Sequence, residues 1–171
     1  MSQTDVLTRM PNAVAGLLAD NTLTKDCLDA FSEEASAEIP FGVMVGRGTA
    51  DNGVLKLAAT SDVLAGVVVF AQSYAKPSEL GDTGLKPGVD FNILNEGRVY
   101  VLVEEAVTPA SSVFVRAVAA GAEVAGAFRD TQDGSDCIDI SDYARYLTSA
   151  GAGEFAVLDF SMRTSRAVDA T

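Results

Sequence analysis

A chain of 171 residues with 24 acidic and 12 basic side chains carries a net charge of -12, which repels the phosphates of nucleic acid and of anionic lipid alike, so neither is expected as a partner. Its length suits one domain with a sizeable core. With 48% hydrophobic but only 7% aromatic residues, that core must be built from Val, Ala and Leu, an inventory that suits strands better than helices.

In chain order, residues 1–38 read as an N-terminal arm and 39–171 as a β domain. The arm holds seven acids against Arg9 and Lys25 and shows no alternation. Its start has no basic cluster followed by an apolar run, as a signal peptide would, and no stretch of the chain approaches the roughly 20 apolar residues of a membrane span. Leu23, Cys27 and Phe31 fall four apart, with Thr24 placed to cap a short helix whose first turn contains Asp26. From Ile39 the pattern changes to period two, Phe41, Val43 and Val45 alternating with Gly42, Met44 and Gly46. Asn52-Gly53 then predicts a tight hairpin with positive φ angles, and Val54 to Leu57 the returning strand. The continuous apolar run Val63 to Ala71 predicts a strand buried on both sides.

Gln72 to Gly88 holds five Gly and Pro residues and predicts a long surface excursion. Phe91 to Leu94 and Arg98 to Glu104 flank Asn95-Glu96-Gly97, a second hairpin signal. In the latter run Val99, Val101 and Val103 face one way and Arg98, Tyr100 and Glu104 the other, with Leu102 an apolar exception on the polar side. Val113 to Val118 repeats the alternation, Glu123 to Phe128 adds a weaker strand, and Arg129 to Asp136 is polar loop. Ile138 and Ile140 mark a short strand, Ser141 to Leu147 a short helix capped by Ser141, and Glu154 to Met162 a final strand containing Phe155, Val157 and Phe160. Eight or nine short strands at such spacing predict a sandwich or barrel rather than βαβ units.

The chemistry on offer is sparse. The chain has no histidine, which excludes every mechanism resting on an imidazole base, ligand or nucleophile partner. Paired carboxylates of a glycosidase are formally available among 24 acids, but tryptophan, a common sugar-stacking platform, is absent. Asp130, Asp133, Asp136 and Asp139 invite a calcium loop. Aligning Gly134 with the glycine of an EF-hand, however, puts Arg129, Thr131 and Ile140 at ligand positions, leaving an irregular calcium site or a loop kept soluble by its charge. Gly46-Arg47-Gly48 lacks the spacing of a phosphate-binding loop. Cys27 and Cys137 are in no metal-ligand spacing and read as buried, reduced thiols. No catalytic residue, metal or cofactor is expected.

One resemblance organises these pieces. Ala15-Gly16-Leu17-Leu18-Ala19-Asp20, Ile39-Pro40-Phe41-Gly42-Val43-Met44-Val45, Leu64-Ala65-Gly66-Val67-Val68, Asn95-Glu96-Gly97-Arg98-Val99-Tyr100-Val101 and Glu105-Ala106-Val107 occur in an order that resembles the structural cement, or capsid decoration, proteins of tailed bacteriophages. The resemblance implies a mainly β fold: a small β-barrel or β-tulip-like sandwich with an extended N-terminal arm and little helix. It also implies a non-enzymatic virion protein, made in the host cytoplasm, that self-associates as a homotrimer on the outer capsid surface and ties major capsid subunits together. Val14, Leu17, Leu18 and Phe31 are the expected arm anchors, against the alternative that they pack on their own barrel. Tyr100 and Leu102 are expected interface residues, and Ile39 and Phe41 complete the partner-binding set. The competing reading is another virion surface component, such as a head-fibre base or glycan-binding domain.

Overall fold

Period-two alternation of small aliphatic residues yields twelve strands and no helix among the residues that the structure, a computed structural model, describes: 14–19, 26–71 and 84–162. In chain order they are β1 (Asp26–Ser32), β2 (Ile39–Pro40), β3 (Met44–Arg47), β4 (Gly53–Lys56), β5 (Leu64–Val68) and β6 (Gly84–Leu85). They continue with β7 (Asp90–Leu102), β8 (Phe114–Arg116), β9 (Phe128–Arg129), β10 (Cys137–Asp139), β11 (Ala144–Tyr146) and β12 (Phe155–Ser161). The main sheet has the order β1-β4-β3-β5-β7-β12-β11, and β1 also pairs with β7, so five strands close into a barrel while β12 and β11 extend it. Two small sheets, β10-β8-β9 and β2-β6, lie outside this ring.

Closure depends on the 13-residue β7, long enough to serve two neighbours in succession. Its first part pairs antiparallel with β1, Leu28 opposite Ile93 and Phe31 opposite Asp90. Its second part pairs antiparallel with β12, Phe155 opposite Leu102 and Phe160 opposite Gly97. The hairpin expected at Asn95-Glu96-Gly97 is therefore absent, and those residues run straight through the middle of β7. Hairpin signals describe what a tripeptide allows; here two partners on one long strand make the turn unnecessary.

The helix expected around Leu23 to Phe31 is also replaced, from Asp26 on, by a strand. β1 buries Ala30 and Ser32 and turns Cys27 and Asp29 to solvent, so the expectation that Cys27 is buried is corrected while Cys137 is buried as expected. Because β1 pairs with both β7 and β4, residues 26–32 belong to the barrel although they precede the boundary expected at residue 38. Likewise Ser141 to Leu147 forms a turn and then β11, not a helix; the Ser141 hydroxyl accepts a hydrogen bond from the Val113 N–H instead of capping one. Of the expected strand at Glu123 to Phe128 only Phe128 is extended, as part of β9, and it follows turns. Residues 72–83 of the expected excursion lie outside the described residues, and its end carries β6, whose Leu85 is buried.

The β3–β4 hairpin forms, with Val45 opposite Lys56, but by another device than the expected positive φ angles, which neither Asn52 nor Gly53 adopts. The Glu33 carboxylate sits inside the loop, accepting hydrogen bonds from Thr49 N–H (3.0 Å), Thr49 hydroxyl (2.8 Å) and Ala50 N–H (2.7 Å). These bonds hold the Glu33 carboxyl below its ordinary range. A Cβ on Gly48 would lie 2.6 Å from the Glu33 carboxylate carbon, so a side chain there would push the carboxylate out of its seat in the loop.

Alternation sorts the side chains into two cores. Phe41, Val43 and Val45 point with Ala30, Val54, Ala65, Val68, Phe91 and Ile93 into one cluster to which every strand of the closed ring contributes. Met44 and Val67, on the opposite faces of the same strands, join Val99, Val101, Val103, Val115, Phe128, Leu158 and Phe160 in a second cluster beneath β7, β12 and β11. Each fully buried Val, Leu, Ile, Phe or Met among them contributes about 1.5–3 kcal/mol. β5 feeds both clusters and is buried along its whole length, but it is shorter than the strand expected over Val63 to Ala71: Val63 is exposed, and Val69 to Ala71 are partly buried and lie beyond its end.

Candidate functional site

The segment 14–19 is laid along the edge of β7 that β12 does not use. Leu17 N–H donates to Val14 carbonyl (3.0 Å), closing a turn whose third residue, Gly16, has φ +77°, the sign a type II turn requires there. Gly16 N–H then donates to Tyr100 carbonyl (2.8 Å) and Tyr100 N–H to Leu17 carbonyl (2.9 Å), so two residues oppose one in a glycine bulge. Leu18 pairs with Val99, and Ala19 N–H donates to Arg98 carbonyl (2.9 Å). On its other side Gly16 carbonyl accepts from Phe70 N–H (2.8 Å).

No side chain fits at this crossing. A Cβ on Gly16 would lie 2.6 Å from Val68 carbonyl oxygen and 2.8 Å from the nitrogens of Gly42 and Phe70; one on Gly42, itself at φ +71°, would lie 2.5 Å from Gly16 nitrogen. Ala15–Ala19, Ile39–Val45, Leu64–Val68 and Asn95–Val101, from four of the segments that carry the family resemblance, thus meet at one point, for backbones to touch.

The outer face built on this lock has three rows running across the strands. One is Leu102 opposite Phe155, both exposed, Leu102 by 45%. The next is Leu17, exposed by 40%, beside Tyr100, which opposes Val157. The third is charged: Arg98 opposes Asp159, which in turn opposes Arg145 on β11. Arg98 Nε lies 3.8 Å and Arg145 Nη2 2.9 Å from Asp159 carboxylate oxygens.

Beyond the Leu102 row lies a clasp of ion pairs. Arg116, with 0% of its side chain exposed, donates from Nε to both oxygens of Glu104 (2.9 and 3.0 Å) and pairs through Nη2 with Glu123 (2.6 Å) and Asp133 (3.1 Å). Arg129 adds Glu104 (3.3 Å) and Glu105 (3.3 Å). The Glu105 carboxylate accepts from the N–H groups of Asp130 and Thr131 and from the Thr131 hydroxyl. Asp133, expected as a candidate calcium ligand, is thereby engaged by guanidinium groups, and no cluster of acids able to hold a metal occurs among the described residues. The hydrogen bonds that Arg116 donates to Glu104 hold it still more firmly in its charged form, and burial with the nearby charges of Asp130, Glu105 and Glu104 pushes the Tyr146 hydroxyl up.

Burial works to raise the Glu105 carboxyl, but the bonds from Thr131 and Asp130 and the Arg129 charge outweigh it and hold Glu105 below its ordinary 4.5. A folded-state pKa below the unfolded one contributes stability that is present above about pH 4.5 and lost as pH falls through the folded value. Urea midpoints measured between pH 7 and pH 3 are expected to drop in that lower window, and Glu105→Gln is expected to flatten the drop. An unchanged pH profile in that variant counts against the role given to Glu105.

The eight residues expected to bind partners divide sharply. Val14, Leu17, Tyr100 and Leu102 come together around the outer face, with Val14 and Leu17 exposed. Leu18 packs against the second core, half-buried, and Phe31 is half-buried on β1, opposite Asp90. Ile39 and Phe41 are buried in the barrel cluster, where their side chains are covered by their own domain. Sequence reasoning missed Phe155 as an outer residue, and missed Val157, Arg98, Asp159 and Arg145 as its neighbours. The signal was in β12, where Ala156, Leu158 and Phe160 share one parity and Phe155 and Val157 the other.

Comparison with known proteins matches residues 1–161 to the family described as structural cement protein (E217 gp24/Pam3 gp6). The chain belongs to this structural cement protein family. A chain in the capsid of Myoviridae phage XM1 shares the fold, with a TM-score of 0.66, 15% identity and coverage of 92% of this chain and 95% of that one. No curated protein sequence matches. The cement protein is thus a structural component of a phage virion, and its mainly β, barrel-centred fold is as the resemblance implied.

Proposed function

We propose that this cement protein binds the outer surface of the capsid and ties neighbouring major capsid subunits together without catalysing any reaction. The observation that carries the reading is the exposed apolar pair Leu102–Phe155 with exposed Leu17 and half-buried Tyr100 beside it, on a sheet face whose other side is core; Val157, opposite Tyr100, is itself buried. Family membership and the fold shared with a chain of the XM1 capsid support it. A clamp resists outward pressure by distributing load over many modest contacts, and a flat face flanked by a chain segment suits that better than a deep pocket. The residues preceding Asp26 act as the gripping arm and the remainder as the body, assembled as a homotrimer in the same reading. Residues 1–13 and 20–25 of that arm lie outside the described residues.

The test is cosedimentation of purified protein with phage heads assembled without it, followed by heating of the decorated heads. Saturable binding and a higher temperature of DNA release are expected, with Leu102→Thr/Phe155→Thr, which keeps strand-forming residues at both positions, weakening binding at least tenfold while the melting temperature of the free protein falls only slightly. Heads that neither bind the protein nor gain stability overturn the reading, as does glycan binding by a protein that ignores heads.

A further inference from the structure

The loops just beyond the outer face carry no charge. Residues 106–113, between β7 and β8, and 147–153, between β11 and β12, contain no Asp, Glu, Lys or Arg in a chain that holds 24 acids and 12 bases. Paired bonds lay them side by side, Val107 N–H donating to Ala150 carbonyl (2.9 Å) and Ala150 N–H to Val107 carbonyl (3.1 Å). Gly153 N–H donates to Val103 carbonyl (2.8 Å), which sets this end directly beside Leu102 and Phe155. The four charged residues that bound the two runs in sequence are each engaged within the chain. Glu105 accepts from Asp130 and Thr131, Arg116 is enclosed by the clasp, Arg145 pairs with Asp159, and Glu154 folds back on Gly151 N–H (2.7 Å). At the foot of the first loop Val113 N–H donates to the Ser141 hydroxyl and Asp139 accepts from Ser141 N–H (2.9 Å), with Asp142 the exposed acid at the border.

Both loops are braced from within. Thr108 N–H donates to the Ser111 hydroxyl (3.0 Å), Ser111 N–H to Thr108 carbonyl (2.9 Å) and Glu154 N–H to Gly151 carbonyl (3.0 Å). Ordered turns bearing short side chains lose little freedom when they are covered. Charge then selects the occupant. A partner of opposite charge gains by meeting the exposed acids elsewhere on the chain and has no reason to choose this end. A second copy brings -12 against -12, and that repulsion, screened over about 8 Å at physiological salt, is weakest where no charge stands at the surface.

We propose, resting on the self-association read above, that the end formed by residues 106–113 and 147–153 is the contact between copies of this chain, with Leu102 and Phe155 beside it left to face the capsid. The contact is held by close packing of small side chains, and the charges of the two copies oppose it.

The experiment is sedimentation equilibrium of the full chain at low and high salt. It compares wild type, Ala110→Asp/Ala152→Asp, Ala110→Lys/Ala152→Lys and, as a control that adds the same acidic charge at an exposed turn outside both loops, Thr60→Asp/Ser61→Asp, each first checked for an unchanged circular dichroism spectrum. Wild type is expected to self-associate, and more tightly in high salt. The acidic and the basic pair at Ala110 and Ala152 are each expected to weaken association at least about tenfold, because like charges are brought face to face, while the control leaves it nearly unchanged. Mixing the two is expected to restore it, which a distorted loop would not do. Wild type that stays monomeric at every concentration overturns the proposal, as does an oligomer that salt dissolves, that the control weakens equally, or that mixing fails to restore. Head binding measured in parallel keeps the two readings apart. Heads decorated by a protein that stays monomeric in solution overturn this contact and leave the cement reading standing; an oligomer with the expected responses that ignores heads does the reverse.

Discussion

Gly16→Ala is expected to be among the most damaging single-methyl additions in the chain, lowering stability by at least about 2 kcal/mol and freeing the segment 14–19 from β7. Two costs combine. The left-handed φ of +77° strains any L side chain, and the added methyl meets three backbone atoms at 2.6–2.8 Å, none of which can rotate away. Relief requires the segment to lift off, breaking the bonds to Tyr100, Arg98 and Phe70. Hydrogen exchange checks this directly, since the amides of Tyr100 and Phe70 should lose protection while those inside the barrel, such as Val45, keep theirs. Gly42→Ala should produce the same pattern, and the double variant should cost little more than either alone, because both break one contact. A fully additive double variant would falsify the shared lock. Since Leu17 is placed by this lock, Gly16→Ala should also weaken attachment to heads.

Arg116→Met is expected to destabilise the protein by about 3–5 kcal/mol, the range for removing one partner from a buried ion pair. The reason is what it leaves behind. Glu104 has only 13% of its side chain exposed and would lose a two-oxygen bond to a guanidinium, keeping a single 3.3 Å contact to Arg129. Glu123 and Asp133 are nearly half exposed and can turn to water, so most of the loss is assigned to Glu104. Adding Glu104→Gln to Arg116→Met should therefore recover part of the stability, a sign that simple loss of packing does not give. Arg116→Lys should fall between, keeping the charge but not the fork. Urea denaturation at neutral pH checks all three. A double variant no better than Arg116→Met would assign the damage to cavity formation instead.

Much of the face assignment was legible in the sequence. Val43 and Val45 against Met44, and Val99, Val101 and Val103 against Arg98, Tyr100 and Leu102, sit on the sides that their alternation predicts. Leu102 stood out as an apolar residue on a polar face, and the structure leaves it exposed beside Phe155, a neighbour no short-range pattern names. Arg116 was invisible as a buried group because in sequence it is simply the polar member of an alternating run. Its burial comes from Glu104, Glu123 and Asp133, brought from three other places in the chain.

By itself, then, the sequence determined that the chain forms strands, which side of most of them faces inward, and, through ordered segments such as Ala15–Asp20 and Ile39–Val45, its family. The tertiary structure decided which strands pair. It made Asp26–Ser32 a barrel strand by giving it β7 on one side and β4, in parallel, on the other. It kept Asn95–Gly97 extended by supplying β1 and β12 in succession, and it put Gly16 against Gly42. The physical reason is that a two-residue period records only which face of a strand meets apolar surroundings. The backbone hydrogen bonds that choose a partner are the same for every residue type and are satisfied only when distant segments come together.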